Sequence, residues 1–469
     1  MNHRFRQPPN MLLVLVLCIA AAGCATYQSQ VIDMSSAWVS DQLPIATQQF
    51  CKRAEKEKDS GDAILWNAEA GAAHRALGEF EESNRHLDLA IARVDAYEEQ
   101  AKVKVGRESM AIMSNQQNLD YEGRSYDKII LHTYKALNYL SLGEPERARP
   151  EIIRAYQRQQ DAVDENQRRI EKAQEEAAKN NQNQAEVNSA RNDKEYSQAL
   201  GTVEGDLEGF KFYADYVNPF AVYLDALFFK YTGVDASDLE RSRKSFARLQ
   251  ELLGDNKFIQ ADLESFASEN RATAAPTTYV IFETGQGATR NQIRIDVPII
   301  VTSVSYVGAA FPRLAFHKNY AANLTVSAGD LLETTVPIAN MDAIIGLDFK
   351  NEWPTIVTKT TISTVAKGVA ADAINRSAKK THSIIGLVAQ IATAVTQAAM
   401  NIADTRSWTT LPKEFQIARL PRPADGKLTL TKPGALPVNV ELTDGTVTVV
   451  YVRSITATDR LMVSQFKLK

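Results

Sequence analysis

WNAEAGAAHRALGEFEES, residues 66–83, decides how the first half of this chain is read. Ala70, His74, Gly78, Phe80, Ser83, Leu87 and Ala90 stand at offsets −8, −4, 0, +2, +5, +9 and +12 about Gly78. The frame recurs about Gly143 with Lys135, Tyr139, Pro145, Ala148, Ile152 and Ala155, and Ala136 answers Gly71 at −7. Small residues at −7, +5 and +12 let two antiparallel helices approach, and the glycine closes the first helix in a left-handed conformation. A looser copy runs through Ala226, Phe229 and Gly233, then Ser242, Phe246 and Leu249, with about four residues inserted after the glycine.

The frame resembles the tetratricopeptide repeat. Gly78 and Gly143 are 65 residues apart, close to but not equal to two 34-residue units, so the array is irregular. A generic helical bundle is the alternative, and stacked helical hairpins are expected either way. Ala, Leu, Glu, Lys, Arg and Gln dominate from residue 36 to about 272, which supports a helical repeat domain over 36–275. Between the second and third copies, residues 157–198 are polar. Tyr156, Val163, Ile170 and Ala177 recur there every seven residues. That stripe predicts a long helix projecting from the solenoid, a polar turn near 180–184, and a return through Val187 and Tyr196. A coiled coil with a partner and a disordered loop are the alternatives.

Composition changes after Ala274-Ala275-Pro276. β-branched runs at 278–282, 293–304, 313–316, 322–328 and 331–337 predict strands, as do those at 415–420, 427–431, 438–442, 447–452 and 461–467. Asp444-Gly445 between two such runs predicts a hairpin, and Gly285-Gln286-Gly287 a turn. Helical character over about 341–403 interrupts them, with its most apolar part at 384–403. That part carries Gln390, Thr393, Thr396, Gln397 and Asn401, which favours a buried helical hairpin over a membrane span. Membrane contact or self-association is the other reading. The expected fold class is α+β: a tetratricopeptide-like helical solenoid, then a mainly antiparallel β domain over 276–469 with a helical-hairpin insertion.

The N-terminus reads as an address. Arg4 and Arg6 precede an apolar run from Met11 to Ala22, too short to span a bilayer, which ends in Ala21-Ala22-Gly23-Cys24. This is similar to a bacterial lipobox: residues 1–23 are a signal peptide, Cys24 receives the lipid, and 24–35 form a tether. Ala25 after the cysteine implies sorting to the outer membrane, facing the periplasm. The chain has 469 residues and a net charge of −4, which argues against a nucleic-acid-coating surface. With three cysteines, a disulfide framework and any four-thiolate metal site are excluded; Cys51 reads as a small apolar residue.

No zinc helix, nucleophile elbow or phosphate loop occurs. His74, His86 and His132 fall on repeat helices, where His74 occupies a packing position and the other two lack metal-ligand or triad-like spacing, and His317 and His382 stand apart. No catalytic residue, metal ligand or cofactor is expected. Two constellations stand out: Asp404, Arg406 and Trp408 in ADTRSWTTLP, and Glu283 with Arg290, Arg294 and Asp296 about a β-turn. Either is a structural junction or a docking surface, since Trp and Arg are enriched at binding hot spots. Tyr139, Asp404, Arg406 and Trp408 are the candidate partner-binding residues.

The lipobox, residues 66–83, YEGRSYDKIILHTYKALNYLSLGEPERARPEIIRA (121–155), VIFETGQGATR (280–290) and ADTRSWTTLPKEFQIARLP (403–421) together resemble a family of proteobacterial outer-membrane lipoproteins with tetratricopeptide-like helices. Members are often encoded beside small lipoproteins similar to activators of penicillin-binding proteins. The resemblance implies a non-catalytic scaffold whose partners are other envelope lipoproteins or cell-wall synthesis machinery, held to the membrane through Cys24. The alternative is an oligomeric accessory of envelope transport or secretion that uses 384–403.

Overall fold

A computed structural model of the protein describes residues 27–103, 119–179, 183–213, 216–268, 275–299, 306–381 and 402–469. Among these lie twelve helices and eleven strands, the helices filling the first half and a β domain the second. Cys24 and most of the apolar part of the insertion, residues 382–401, lie outside the described residues. Among the described residues no helix is long and apolar enough to cross a membrane.

The first helix corrects one expectation. Residues 27–35 were expected as tether, yet α1 (Tyr27–Val39) starts at once. Tyr27, Val31, Met34 and Trp38 are all buried, and their spacing of four, three and four residues is that of one helix face. The chain continues through α2 (Leu43–Lys56), α3 (Ala63–Ala76) and α4 (Phe80–Val103).

The glycine frame becomes helical hairpins. Gly78, between α3 and α4, has φ +79°, and Gly143, between α5 (Ser125–Ser141) and α6 (Pro145–Lys179), has φ +75°. A side chain would strain both turns. Ser83 Oγ donates to the Gly71 carbonyl at 2.7 Å, so the small residue also ties the two helices together. The third hairpin joins α9 (Pro219–Thr232) to α10 (Ala236–Leu253), and α11 (Lys257–Ser268) follows. Gly233 is not left-handed there, with φ −55°. It is glycine because a Cβ would lie 2.5 Å from the Phe229 carbonyl oxygen, and the inserted residues let Asp235 cap α10 through the Asp238 amide.

The polar stretch packs on the rest of the chain as far as Asn166 and again in its return. The face of α6 that is buried is Ala155, Gln159, Ala162 and Asn166, while Val163 of the expected stripe is exposed. Gln159 is drawn in because its Oε1 accepts the buried Asn218 amide at 2.9 Å. The return through α7 (Gln184–Arg191) and α8 (Lys194–Gly205) lies against the β domain. Tyr196 meets Phe311, ring centroids 6.4 Å apart, and shares a 2.7 Å hydrogen bond with Thr361.

The β domain holds three sheets. Its five-stranded sheet runs β11 (Met462–Lys467), β10 (Val447–Ser454), β1 (Thr277–Thr284), β7 (Glu414–Pro421) and β6 (Val336–Asn340). The others are a ribbon of β2 (Thr289–Pro298) and β3 (Tyr306–Ala315), and a sheet in which β5 (Leu331–Thr334) and β4 (Thr325–Ala328) join β8 (Lys427–Thr431) and β9 (Val438–Glu441). Among the described residues every pairing is antiparallel except β1 with β10. That exception removes the expected Asp444-Gly445 hairpin: β9 pairs with β8, and β10 enters the other sheet beside β1. All eight residues of β10 are buried, Thr448, Arg453 and Ser454 included, and a strand buried on both faces belongs inside a sheet covered on both sides. Helix α12 (Met341–Thr381) leaves between the paired neighbours β6 and β7, and packs on β3.

The helices cover the sheet face that carries Tyr279 and Glu283. Phe220 of α9 stacks on Phe415 of β7 with centroids 3.9 Å apart. Tyr231 of α9 and Tyr279 share a 2.8 Å hydrogen bond, and Tyr279 donates to Asp262 of α11 at 2.5 Å. Each such buried aromatic contributes about 1.5–3 kcal/mol.

Candidate functional site

The block that follows the insertion is where the two halves interlock. Asp404 holds Arg406, with Oδ1 to Nε 2.8 Å and Oδ2 to Nη2 3.0 Å. Arg406 reaches on to Asp62 at 3.0 Å and to the Leu119 carbonyl at 2.6 Å. Burial pushes the Asp404 carboxyl up, but Arg406 beside it outweighs this and holds it below its ordinary value. Trp408 packs edge-on against Tyr134 and donates to Thr410 at 2.8 Å. Glu69 of α3, fully buried, accepts the Thr409 amide at 2.6 Å, the Thr409 hydroxyl at 2.7 Å, the Thr410 amide at 3.0 Å and the Tyr27 hydroxyl at 3.1 Å. Burial raises its pKa against those four donors.

This placement corrects the docking-surface expectation. Arg406, Trp408 and Tyr139 are all buried, and the Asp404 side chain is 17 % exposed. Their hydrogen-bonding atoms are spent inside this chain, so they present no free surface to a partner. The second constellation is split. Glu283 and Arg290 belong to different sheets, so no charged hairpin forms between them. Arg290 meets Glu352 of α12 at 2.8 Å, and Arg124 meets the same carboxylate at 2.7 Å. Burial opposes ionisation of Glu352, yet Arg124 and Arg290 hold it well below its ordinary range. Arg294 and Asp296 form an exposed pair at 3.2 Å.

Glu283 instead forms the floor of a cleft. A cavity of about 330 Å³ opens between the end of α3 and strand β11. Glu283 accepts Tyr134 at 2.7 Å, lies 2.8 Å from Arg453 Nη1, and also accepts the Tyr451 hydroxyl. Burial, with the Glu283 charge second, pushes both tyrosine pKa values well up, so they stay donors. Arg75 lies over the Tyr451 ring at 4.6 Å and gives one Nη to Asn138 at 2.6 Å. Its Nε and the Trp38 Nε1, both buried on residues lining the cavity, have no hydrogen-bond partner among the described residues. Leaving a buried donor unmatched costs about 1–3 kcal/mol. Leu77 and Phe80 form one rim and residues 460–464 the other. β11 is an edge strand of its sheet.

None of these lining residues was singled out as a site in the sequence except Glu283. The signal was weak: Arg75 is one cation on an alanine-rich helix, and its neighbours come from segments as far off as Glu283 and Tyr451. No protein-family model, curated protein or solved structure matches this chain.

Proposed function

We propose that the protein is a lipid-anchored adaptor at the outer membrane that binds other envelope proteins without catalysis. In this reading Cys24 carries the lipid, the helical hairpins are tetratricopeptide-like repeats, and a partner segment lies in the cleft beside β11. The observation that carries it is the cleft itself: a cavity of about 330 Å³ bordered by β11, an edge strand of its sheet, suits main-chain pairing with an extended segment. Apolar rim residues add contact area. The clients are other envelope lipoproteins or cell-wall synthesis proteins. Only Ala25 and Thr26 separate Cys24 from α1, a reach of about 7–11 Å at 3.3–3.6 Å per residue. Such a leash favours clients held at the same membrane.

The test is in-cell photocrosslinking from Val463, 36 % exposed on β11, with a control on the distant exposed Leu436. An envelope protein trapped from Val463 and lost with Arg75→Ala is expected. Products of the chain with itself alone, equal from both positions, would overturn the adaptor reading in favour of an oligomeric accessory.

A further inference from the structure

We propose that Cys51, His74 and His86 form a binding site for a borderline-soft d10 cation, Zn²⁺ or Cu⁺. The three residues come from α2, α3 and α4, and one ligand atom of each lies within 4.8 Å of the other two. The Cys51 sulfur is 3.0 Å from His74 Nε2. The imidazoles of His74 and His86 are stacked, with centroids 5.4 Å apart. A thiolate and an imidazole on tetrahedral zinc stand about 3.5 Å apart, given bonds near 2.3 and 2.0–2.1 Å. The cluster therefore needs only small adjustments to close on a metal.

A second, independent observation is how the rings are held. His74 Nδ1 donates to Glu79 Oε2 at 2.6 Å. His86 Nδ1 lies 2.9 Å from Asn67 Oδ1, and Asn67 gives its own amide hydrogen to the Ala63 carbonyl at 2.9 Å, which fixes its oxygen toward the ring. Both histidines thus carry hydrogen on Nδ1 and present the Nε2 lone pair. Metal-binding histidines are held in this way, by a carboxylate or carbonyl oxygen on the nitrogen away from the ion. Thiolate and imidazole together suit Zn²⁺ and Cu⁺ rather than Ca²⁺ or Mg²⁺. Three protein ligands leave a fourth position for water or a client's side chain.

One group opposes the ion. Arg85 Nη2 is 3.0 Å from His86 Nε2, where a metal would bind. Its side chain is 55 % exposed and tethered to Glu82 at 2.8 Å, so it is free to swing into solvent as the ion enters. The guanidinium only donates, which itself requires a lone pair on His86 Nε2. The site lies on the α2 and α4 side of α3, while Arg75 of the same helix lines the cleft. An ion there would pin α2 to α3 and α4, and both α3 and α4 line the cleft.

The test uses the full chain purified in detergent, stripped with chelator and titrated with Zn²⁺ against a chromophoric competitor, then with Co²⁺ as a spectroscopic probe. About one Zn²⁺ per chain is expected, with a thiolate-to-cobalt charge-transfer band that Cys51→Ser abolishes. Glu79→Gln should weaken binding about 10–100-fold through loss of ring orientation. Arg85→Ala should tighten it, which no structural role of Arg85 would produce. Titration with Cu⁺ distinguishes the two ions by relative affinity. Zn²⁺ affinity unchanged by Cys51→Ser and by Glu79→Gln, or no binding even with Arg85→Ala, would overturn the site. Glu79 is on the exposed rim, so its variant remains informative if Cys51→Ser fails to fold.

Discussion

Replacing Glu69 with Gln tests whether the buried carboxylate clamps the two halves of the protein together. Its two oxygens accept four donors, three on Oε1 and the Thr410 amide on Oε2. A glutamine keeps one oxygen. Oriented to serve the three donors, its NH₂ group faces the Thr410 amide, donor against donor; flipped, it faces the other three. At least one buried backbone N–H then loses its acceptor, which costs about 1–3 kcal/mol. Glu69→Ala leaves both the Thr409 and Thr410 amides unmatched, because the hydroxyls of Tyr27 and Thr409 turn elsewhere while main-chain N–H groups do not. Two such losses give roughly 2–6 kcal/mol. Urea unfolding of a chain starting at Ala25 reads the loss, and amide exchange at Thr409 and Thr410 shows where it falls. If both variants lie within about 0.5 kcal/mol of the parent, the range of a neutral surface change, the clamp does not exist. Lost stability with unchanged exchange at those two amides would equally refute it.

Three further outcomes follow from the same structure. Burial raises Asp127 to about 6; its contribution is present below its unfolded value near 3.8 and is lost as pH rises through 6. The stability of the parent relative to Asp127→Asn should therefore fall by about 2.4 kcal/mol between pH 4 and pH 7, and a flat difference in urea midpoints would refute this. Gly143→Ala meets open space and strains only the backbone at φ +75°, for about 1–2 kcal/mol; Gly233→Ala drives a Cβ onto the Phe229 oxygen and should lower the melting temperature further, so equal shifts would contradict the assignment. Lys432 and Asp459 are a buried pair at 2.8 Å, and Lys432→Met should cost about 3–5 kcal/mol; a loss below about 1 kcal/mol by denaturation would mean that Ser454 and the Ile455 amide suffice to hold Asp459.

The helical hairpins and strand segments were legible because local pattern reports local structure. Gly78 and Gly143 marked turns that only a left-handed residue makes easily, and β-branched runs marked most strands, although 313–316 caught only the end of β3 and 331–337 merged β5 with β6. Pairing was not legible at that level. Asp444-Gly445 is a good turn sequence, but turn chemistry acts over two residues, whereas the choice of neighbour for β10 is made by burial of its whole length. Its run from Val447 to Val452, apolar at every position but Thr448, was the overlooked signal, since a strand with one wet face would alternate. In α6 the error was of the same kind. Tyr156 and Val163 looked like the packed face because they are apolar, but the buried face is set by what the neighbours require. Asn218 needs an acceptor for its amide, and Gln159 supplies one.

The sites show why periodicity alone runs out. It reports which face of an element is buried, through the 3.6 and 2.0 repeats of side-chain direction, and says nothing of which group lies opposite. Glu69 is an acid in a helix of alanines, and its burial is tolerable only because Thr409 and Thr410 arrive with donors from about 340 positions away. Cys51, His74 and His86 are spaced 23 and 12 residues apart, intervals that match no ligand motif, because each sits on a different helix of one stacked array. A short motif places its ligands through one loop; here α2, α3 and α4 do so through packing. The metal titration therefore bears on the fold as well as the ion. If α2 were displaced from α3, Cys51 would leave the two imidazoles, and the cobalt charge-transfer band would be lost even with all three residues intact.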